Sequence, residues 1–421
     1  MFHPSPTHFR ARWILPVEGS PIRDGTLTVR DGRLVQIGKA ATPETAVDFG
    51  EAAIIPALVN AHTHLEFSNL ERPLGESGSP FTEWIKQVIA WRRKRDAVVD
   101  ATVHVSPSLA PAIRLGIEES LRAGVVTLGE IATSLASATE LEQSLGSGVV
   151  FWEVIGWSPA NVASNLHTAQ SFPDGQSQRH SKIVGGVSPH APYTVHQDLL
   201  RAIVKSSAAN RFPIAMHLAE TEAELQLLAD GTGPLADMLY ELNAWERTAI
   251  LFHSRPLDYL RILAEADRAL VIHGNYLDEA EVRFLGEHRA KMSVVYCPRT
   301  HRYFGHRRHP VEKLLDAGAR VALGTDSRAS NPDLSLWNEM LFAGAEHPGI
   351  APETWLQIAT LEGAAALGLE KEYGSLRPGK VANFLVIPLA PGQVNGPWSW
   401  FGDVRSEVSQ VYVRGERWRS P

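Results

Sequence analysis

Cysteine is nearly absent: Cys297 stands alone in 421 residues. A single thiol excludes an intramolecular disulfide framework and any cysteine-built zinc centre. Its neighbours Ser293–Tyr296 read as a buried strand, which makes Cys297 a packed thiol and not a nucleophile. No stretch reaches the roughly 18 consecutive apolar residues of a membrane span, and Met1–Arg12 has no apolar core of the signal-peptide kind. The expectation is a reducing, cytoplasmic setting without a membrane partner. Basic excess is missing as well: a net charge of −7 gives no support for binding nucleic acid or an anionic surface. Internal repeats and low-complexity tracts do not occur. What is present, 44% apolar and 21% charged residues, is the composition of a globular protein with a large core. The length suits one large domain and a smaller one.

The two chain ends differ from the middle. Thr26–Arg30 and Arg33–Ile37 read as strands joined by a tight Asp31-Gly32 turn. Near the other end, Phe384–Ile387 is an apolar run, and Val408–Trp418 contains a strand pair turning at Gly415. Neither end can bury a sheet alone, so residues 1–54 and 374–421 are expected to form one small β-sandwich domain together. Between them, over residues 55–373, strands alternate with helical stretches such as Pro80–Arg93 and Ala110–Arg122. The strands are Ile54–Val59, Gly124–Ile131, Gly148–Ile155, Ile183–Val187, Ile214–His217, Ala269–His273, Met292–Tyr296 and Val321–Gly324. Ala249–Phe252 is a further apolar run, too short to join them, and its His253 reads as structural. The fold class is α/β: a (β/α)8 TIM-like barrel plus the small domain from both termini.

Several of these runs stop abruptly at a histidine or an acid, the trace of a site on the carboxyl-terminal rim of a barrel. His62 and His64 flank one residue, so on a strand both point to the same side, a spacing that suits a divalent metal. Taken alone, a His-x-His pair is more often solvent-facing. His217 ends one run with Glu220 three residues on, and Asp326 ends another. Separately these would be a core histidine, a helix-dipole acid and an N-cap; together, at the ends of different strands, they point to a metal site. Two basic segments stand out. Arg92-Arg93-Lys94-Arg95 reads as a solvated helix face, whereas Arg299–Arg308 lies beside the expected site and could meet a substrate.

Pro56–His64, His217–Thr221, His273-Gly274-Asn275, Gly324–Ser327 and Gly374–Lys380 together resemble the amidohydrolase superfamily, in its cytosine deaminase, chlorohydrolase and adenosylhomocysteine deaminase branch. The resemblance spans essentially the whole chain. It implies that His62, His64, His217 and Asp326 bind one divalent metal ion, zinc or alternatively iron, since imidazole and carboxylate accept both. Two-metal members carry a carboxylated lysine after strand four, where this chain has Ser188-Pro189-His190. Glu220 becomes the proton shuttle, His273 a hydrogen-bond partner of the attacked centre, and Asp326 a base as well as a ligand. His190 and Glu83 become substrate contacts, the latter at the position of a ribose-binding acid; Glu66 and Arg302 complete that candidate set. The ordinary readings of His190 and Glu83 are a strand-end cap and a solvent-facing helix residue.

Such a site releases ammonia from an aminated ring by general acid–base catalysis around a hydrolytic attack. The other zinc deaminase design, His-x-Glu with Pro-Cys-x-x-Cys, is excluded by the lone cysteine. His62–Ser68, Phe81–Arg92, Glu153–Gly156, Ser188–His196 and Gly231–Gly233 are most similar to the aminodeoxyfutalosine deaminases of menaquinone biosynthesis. A carboxylate on the aryl group of that substrate would suit the Arg299–Arg308 segment. Pro298-Arg299-Thr300-His301 departs from the Pro-x-Ser-Asn of many relatives, in a loop that shapes the pocket. Deaminases of adenosylhomocysteine, methylthioadenosine or guanine, a triazine-type hydrolase, and a non-catalytic metal-binding barrel are the alternatives. A small molecule is the expected partner; the sequence leaves the oligomeric state open, a homodimer being the common assembly of symmetric enzymes.

Overall fold

The computed structural model describes residues 5–39, 45–97, 109–177, 182–390, 396–403 and 405–420. Positions 1–4 of the Met1–Arg12 segment lie outside the described residues.

Strands from both chain ends form one sheet. Its order is Glu416–Arg417, Gln410–Val413, Phe384–Pro388, Ala52–Pro56, Thr7–Ile14, Ile22–Arg30 and Arg33–Gly38, with Val47–Asp48 also pairing with Thr7–Ile14. Alternation along the strands separates its faces. Ile54, Phe384 and Val386 join Phe9, Leu27 and Tyr412 in the sheet's own core, while Ile55, Leu385 and Ile387 pack into the core of the barrel. In place of a two-sheet sandwich there is a single sheet that closes around its own core, where Leu34 and Ala382 lie: Arg33 bridges Val381, and Leu34 N donates to Lys380 O. Both expected tight turns are present. Asp31 and Gly32 have φ of 52° and 74°, as a two-residue hairpin turn of the primed type requires, and Arg414-Gly415 repeats the pattern.

The second sheet is parallel throughout: Leu58–Thr63, Val125–Ala132, Ser147–Val154, Ile183–Pro189, Pro213–Leu218, Arg268–His273, Met292–Tyr296 and Arg320–Leu323. These are the first to eighth barrel strands. Closure comes where the eighth returns to the first. Thr325 N and Asp326 N both donate to His62 O, and Asn60 Oδ1 accepts from His62 N and Thr325 N. The apolar run read as one strand, Ile54–Val59, is divided between the two sheets. Proline 56 has no N–H to continue the ladder, Ala57 N turns to Asn383 O, and Leu58 N opens the barrel by donating to Gly124 O. Residues 249–252 form turns and no strand, and His253 is exposed.

Candidate active site

Parallel strands in a closed barrel share one direction, so their last residues meet on one rim. There one ring nitrogen from each of His62, His64 and His217 lies within 4.8 Å of the other two. Asp326 Oδ1 is 3.5 Å from His62 Nε2 and 3.6 Å from His64 Nε2. Ser330 Oγ donates to the other carboxylate oxygen, Oδ2, at 2.8 Å, which fixes Oδ1 toward the imidazoles. Backbone conformation helps to aim these groups. Ala219, His273 and Asp326 have φ of 54°, 69° and 53°, a left-handed region costly for side-chain-bearing residues and concentrated at functional sites.

The donor set fits a divalent cation. Both ring nitrogens of buried His62, and Nδ1 of His64, have no hydrogen-bond partner among the described residues, which is unusual for buried polar atoms unless a ligand is to be bound. Burial first, then the neighbouring imidazoles, hold His64 and His217 well below the ordinary histidine range, so both are neutral and keep a lone pair to offer. His217 Nδ1 lies 3.0 Å from His190 O, a backbone contact that selects the tautomer leaving Nε2 for a metal.

Glu220 and His273 stand beside the cluster, with Oε1 and Nε2 3.4 Å apart and the His273 ring 5.4 Å from that of His217. Burial, then Asp326 and Glu224, push the Glu220 carboxyl well above its usual range and favour the acid form. Glu224 holds this loop: its carboxylate accepts from Ala219 N and Glu220 N at 2.8 and 2.9 Å. It escaped the sequence reading although Thr221-x-x-Glu224 is a capping-box pattern. Asn275 Nδ2 donates to Glu220 O, and a ring nitrogen of His309 bonds His273 O at 2.9 Å. On the first strand's side, buried Glu130 accepts from Leu65 N and fixes the turn after His64.

His64, His217, Glu220, His273 and Asp326 floor a cavity of about 360 Å³ whose walls are largely apolar: Phe67, Phe81, Trp84, Ile85, Val88, Ile89, Trp157, Tyr193, Met238 and Leu239 line it. His190 lines it too, with Nδ1 2.8 Å from Thr194 Oγ1. Burial first, then Arg92, lowers its pKa to about 3.

Three candidate substrate contacts are placed elsewhere. Glu83 is 57% exposed and pairs with Lys86, because the face of helix Phe81–Ala97 that meets the cavity carries Trp84, Ile85, Val88, Ile89 and Arg92. Arg302 is 71% exposed and 3.8 Å from Glu346, outside the cavity lining. Glu66 is buried but does not line the cavity; it binds Arg92 at 2.5 Å and also Arg95. The two basic segments thus exchange their expected places. Arg92 and Arg93 line the cavity, while Arg299 is locked into Asp333 and Glu339 at 2.6 and 2.7 Å.

A (β/α)8 barrel whose rim gathers three imidazoles, a carboxylate and a separate acid–imidazole pair has the build of a hydrolytic enzyme. The chain belongs to the amidohydrolase family, whose model matches residues 53–417. It is 29% identical over 409 residues to the 5-methylthioadenosine/S-adenosylhomocysteine deaminase of Pyrococcus furiosus, covering 92% of this chain and 89% of the relative. An adenosine deaminase from Xanthomonas campestris, solved with bound zinc, superposes with a TM-score of 0.77 at 25% identity, covering 98% of this chain and 92% of that one. Helicobacter pylori aminofutalosine deaminase shares the fold with a TM-score of 0.82 at 20% identity, covering 99% and 100%.

Proposed function

We propose that the protein is a metal-dependent hydrolytic deaminase of an aminated purine-type ring. The observation that carries this reading is the buried Glu220–His273 pair at 3.4 Å, two groups not needed to hold a cation, at the foot of a ring-sized apolar cavity. His62, His64, His217 and Asp326 would hold one divalent cation, zinc in this reading with iron as the alternative, which would bring a water's pKa toward neutrality and supply hydroxide. The chain's own groups divide the proton work. Asp326, with Oδ2 occupied by Ser330, accepts the proton of the attacking water at Oδ1. Glu220 protonates the ring nitrogen next to the attacked carbon, and His273 hydrogen-bonds the incoming oxygen. Once the new C–O bond has formed, the proton held by Asp326 passes to the amino group while Glu220, now a carboxylate, takes the proton of the new hydroxyl, so that the C–N bond breaks, ammonia leaves and both acids return to their starting states.

Within this class the reading is 6-amino-6-deoxyfutalosine, an adenine nucleoside bearing an acidic aryl group. The residue likeness noted above supports it, as does Arg93, which lines the cavity with no carboxylate partner among the described residues. A second reading, methylthioadenosine or adenosylhomocysteine, is favoured by the name of the Pyrococcus relative and by the Met238, Leu239 and Leu242 wall. The test is ammonia release by metal-loaded protein from a panel of 6-aminopurine nucleosides. Turnover of aminodeoxyfutalosine far above that of adenosine and methylthioadenosine is expected; a preference for methylthioadenosine selects the second reading, and silence on every purine overturns both.

A further inference from the structure

Arg92, from the helix Phe81–Ala97, and Glu153, from the third barrel strand, meet in the cavity wall with Nη2 and Oε2 3.5 Å apart. Each keeps one buried polar atom without a hydrogen-bond partner among the described residues: Arg92 Nε and Glu153 Oε1. The Glu153 side chain is only 3% exposed. Glu66, which does not line the cavity, binds the same guanidinium nitrogen at 2.5 Å, and Arg95 and Thr133 hold Glu66 in turn. The pair is therefore anchored, and it offers one donor and one acceptor that remain unmade.

Leaving both unmade is costly, so the chemistry of the missing partner can be read from what would satisfy them. An ammonium donates but cannot accept, and would sit beside Arg92 and Arg93. A carboxylate accepts but cannot donate, and would sit against Glu153. A neutral hydroxyl does both. We propose that the Arg92–Glu153 pair recognises a sugar hydroxyl of the nucleoside and is the specificity determinant for ribonucleosides over deoxyribonucleosides. The inference rests on the nucleoside-deaminase reading, and it moves sugar recognition from Glu83, on the solvent side of the helix, to the cavity wall.

The test compares kcat/KM of metal-loaded enzyme for the most active ribonucleoside of the panel with its 2′-deoxy and 3′-deoxy analogues. Wild type is expected to lose about 10- to 100-fold on at least one of them, the size of a hydrogen bond to a charged group. In Glu153→Gln, with fold and bound metal verified, discrimination is expected to shrink to about twofold or less, chiefly through KM for the ribonucleoside. Equal turnover of ribo- and deoxyribonucleosides by wild type overturns the proposal, the wall then being satisfied by water. Wild-type discrimination surviving in Glu153→Gln overturns it too. If that variant does not fold, the wild-type series decides alone. Silence on all purine nucleosides is a different result: it removes the deaminase reading and this inference with it.

Discussion

The barrel rim and the sheet of chain ends are built from similar apolar, β-branched strands, yet they treat polarity and backbone in opposite ways. In the sheet, Phe384 stacks on Tyr412 at 4.5 Å and meets Phe9 edge-on at 5.0 Å, and left-handed Asp31 and Arg414 sit in turns that call for that conformation. At the rim, Ala219, His273 and Asp326 take left-handed conformations beside buried imidazoles and acids that burial pushes toward their neutral forms. Each such conformation costs on the order of 1–3 kcal/mol and is kept only where the surroundings over-determine it. The contrast shows where function resides: the sheet contributes stability without chemistry, and the rim carries chemistry at the expense of stability.

The strongest way to break this comparison is Glu220→Gln. We expect it to lose about 10²–10⁴-fold in turnover, the usual worth of a positioned acid, with bound metal and thermal stability close to wild type; near-normal turnover would show that Glu220 is not the shuttle. Phe384→Ala should do the reverse, costing about 3–5 kcal/mol of stability through its cavity while the folded fraction keeps wild-type kcat/KM. A loss of kcat/KM in that variant would mean that the sheet shapes the site.

Acid should find the rim first. His301 and His306 are each lowered to about 4, by burial first, so their protons bind in the unfolded chain before the folded one. Their contribution to stability is therefore complete above about pH 6.5 and falls as pH drops toward 4. We expect about 1–3 kcal/mol from the two together, appearing as early loss of hydrogen-exchange protection in 298–310 relative to the chain-end strands. Simultaneous loss in both regions would remove the distinction. The smallest effects belong to Glu83→Ala and Arg302→Ala, whose exposed ion pairs are each worth less than about 1 kcal/mol. Both variants should keep kcat/KM within about twofold, and a larger loss in either would restore it to the substrate site.

Much of the fold was legible because strand-ending polar residues interrupt otherwise apolar runs. Five of the eight barrel strands follow that pattern, running into His62 and His64, His190, His217, His273 and Asp326, and the structure brings His62, His64, His217 and Asp326 together. The division at Pro56 was not legible, since Ile54–Val59 is apolar throughout and no periodicity marks a change of sheet. The two arginine segments were misread for a related reason. Arg92 is held by Glu66 and Glu153, 26 and 61 residues away, and Arg299 by Asp333 and Glu339, 34 and 40 residues away. Whether a basic residue is solvated or buried depends on acids that distant, and local spacing carries no trace of them.

What the amino-acid order alone determined is the barrel, its parallel direction and the rim to which the polar strand ends must belong, because strand periodicity and strand termini are local properties. The tertiary structure decided which charges face the cavity: Arg92 and Glu153 inward, Arg302 and Glu83 outward. Charge pairing acts through space, and only the closed barrel brings its partners within reach.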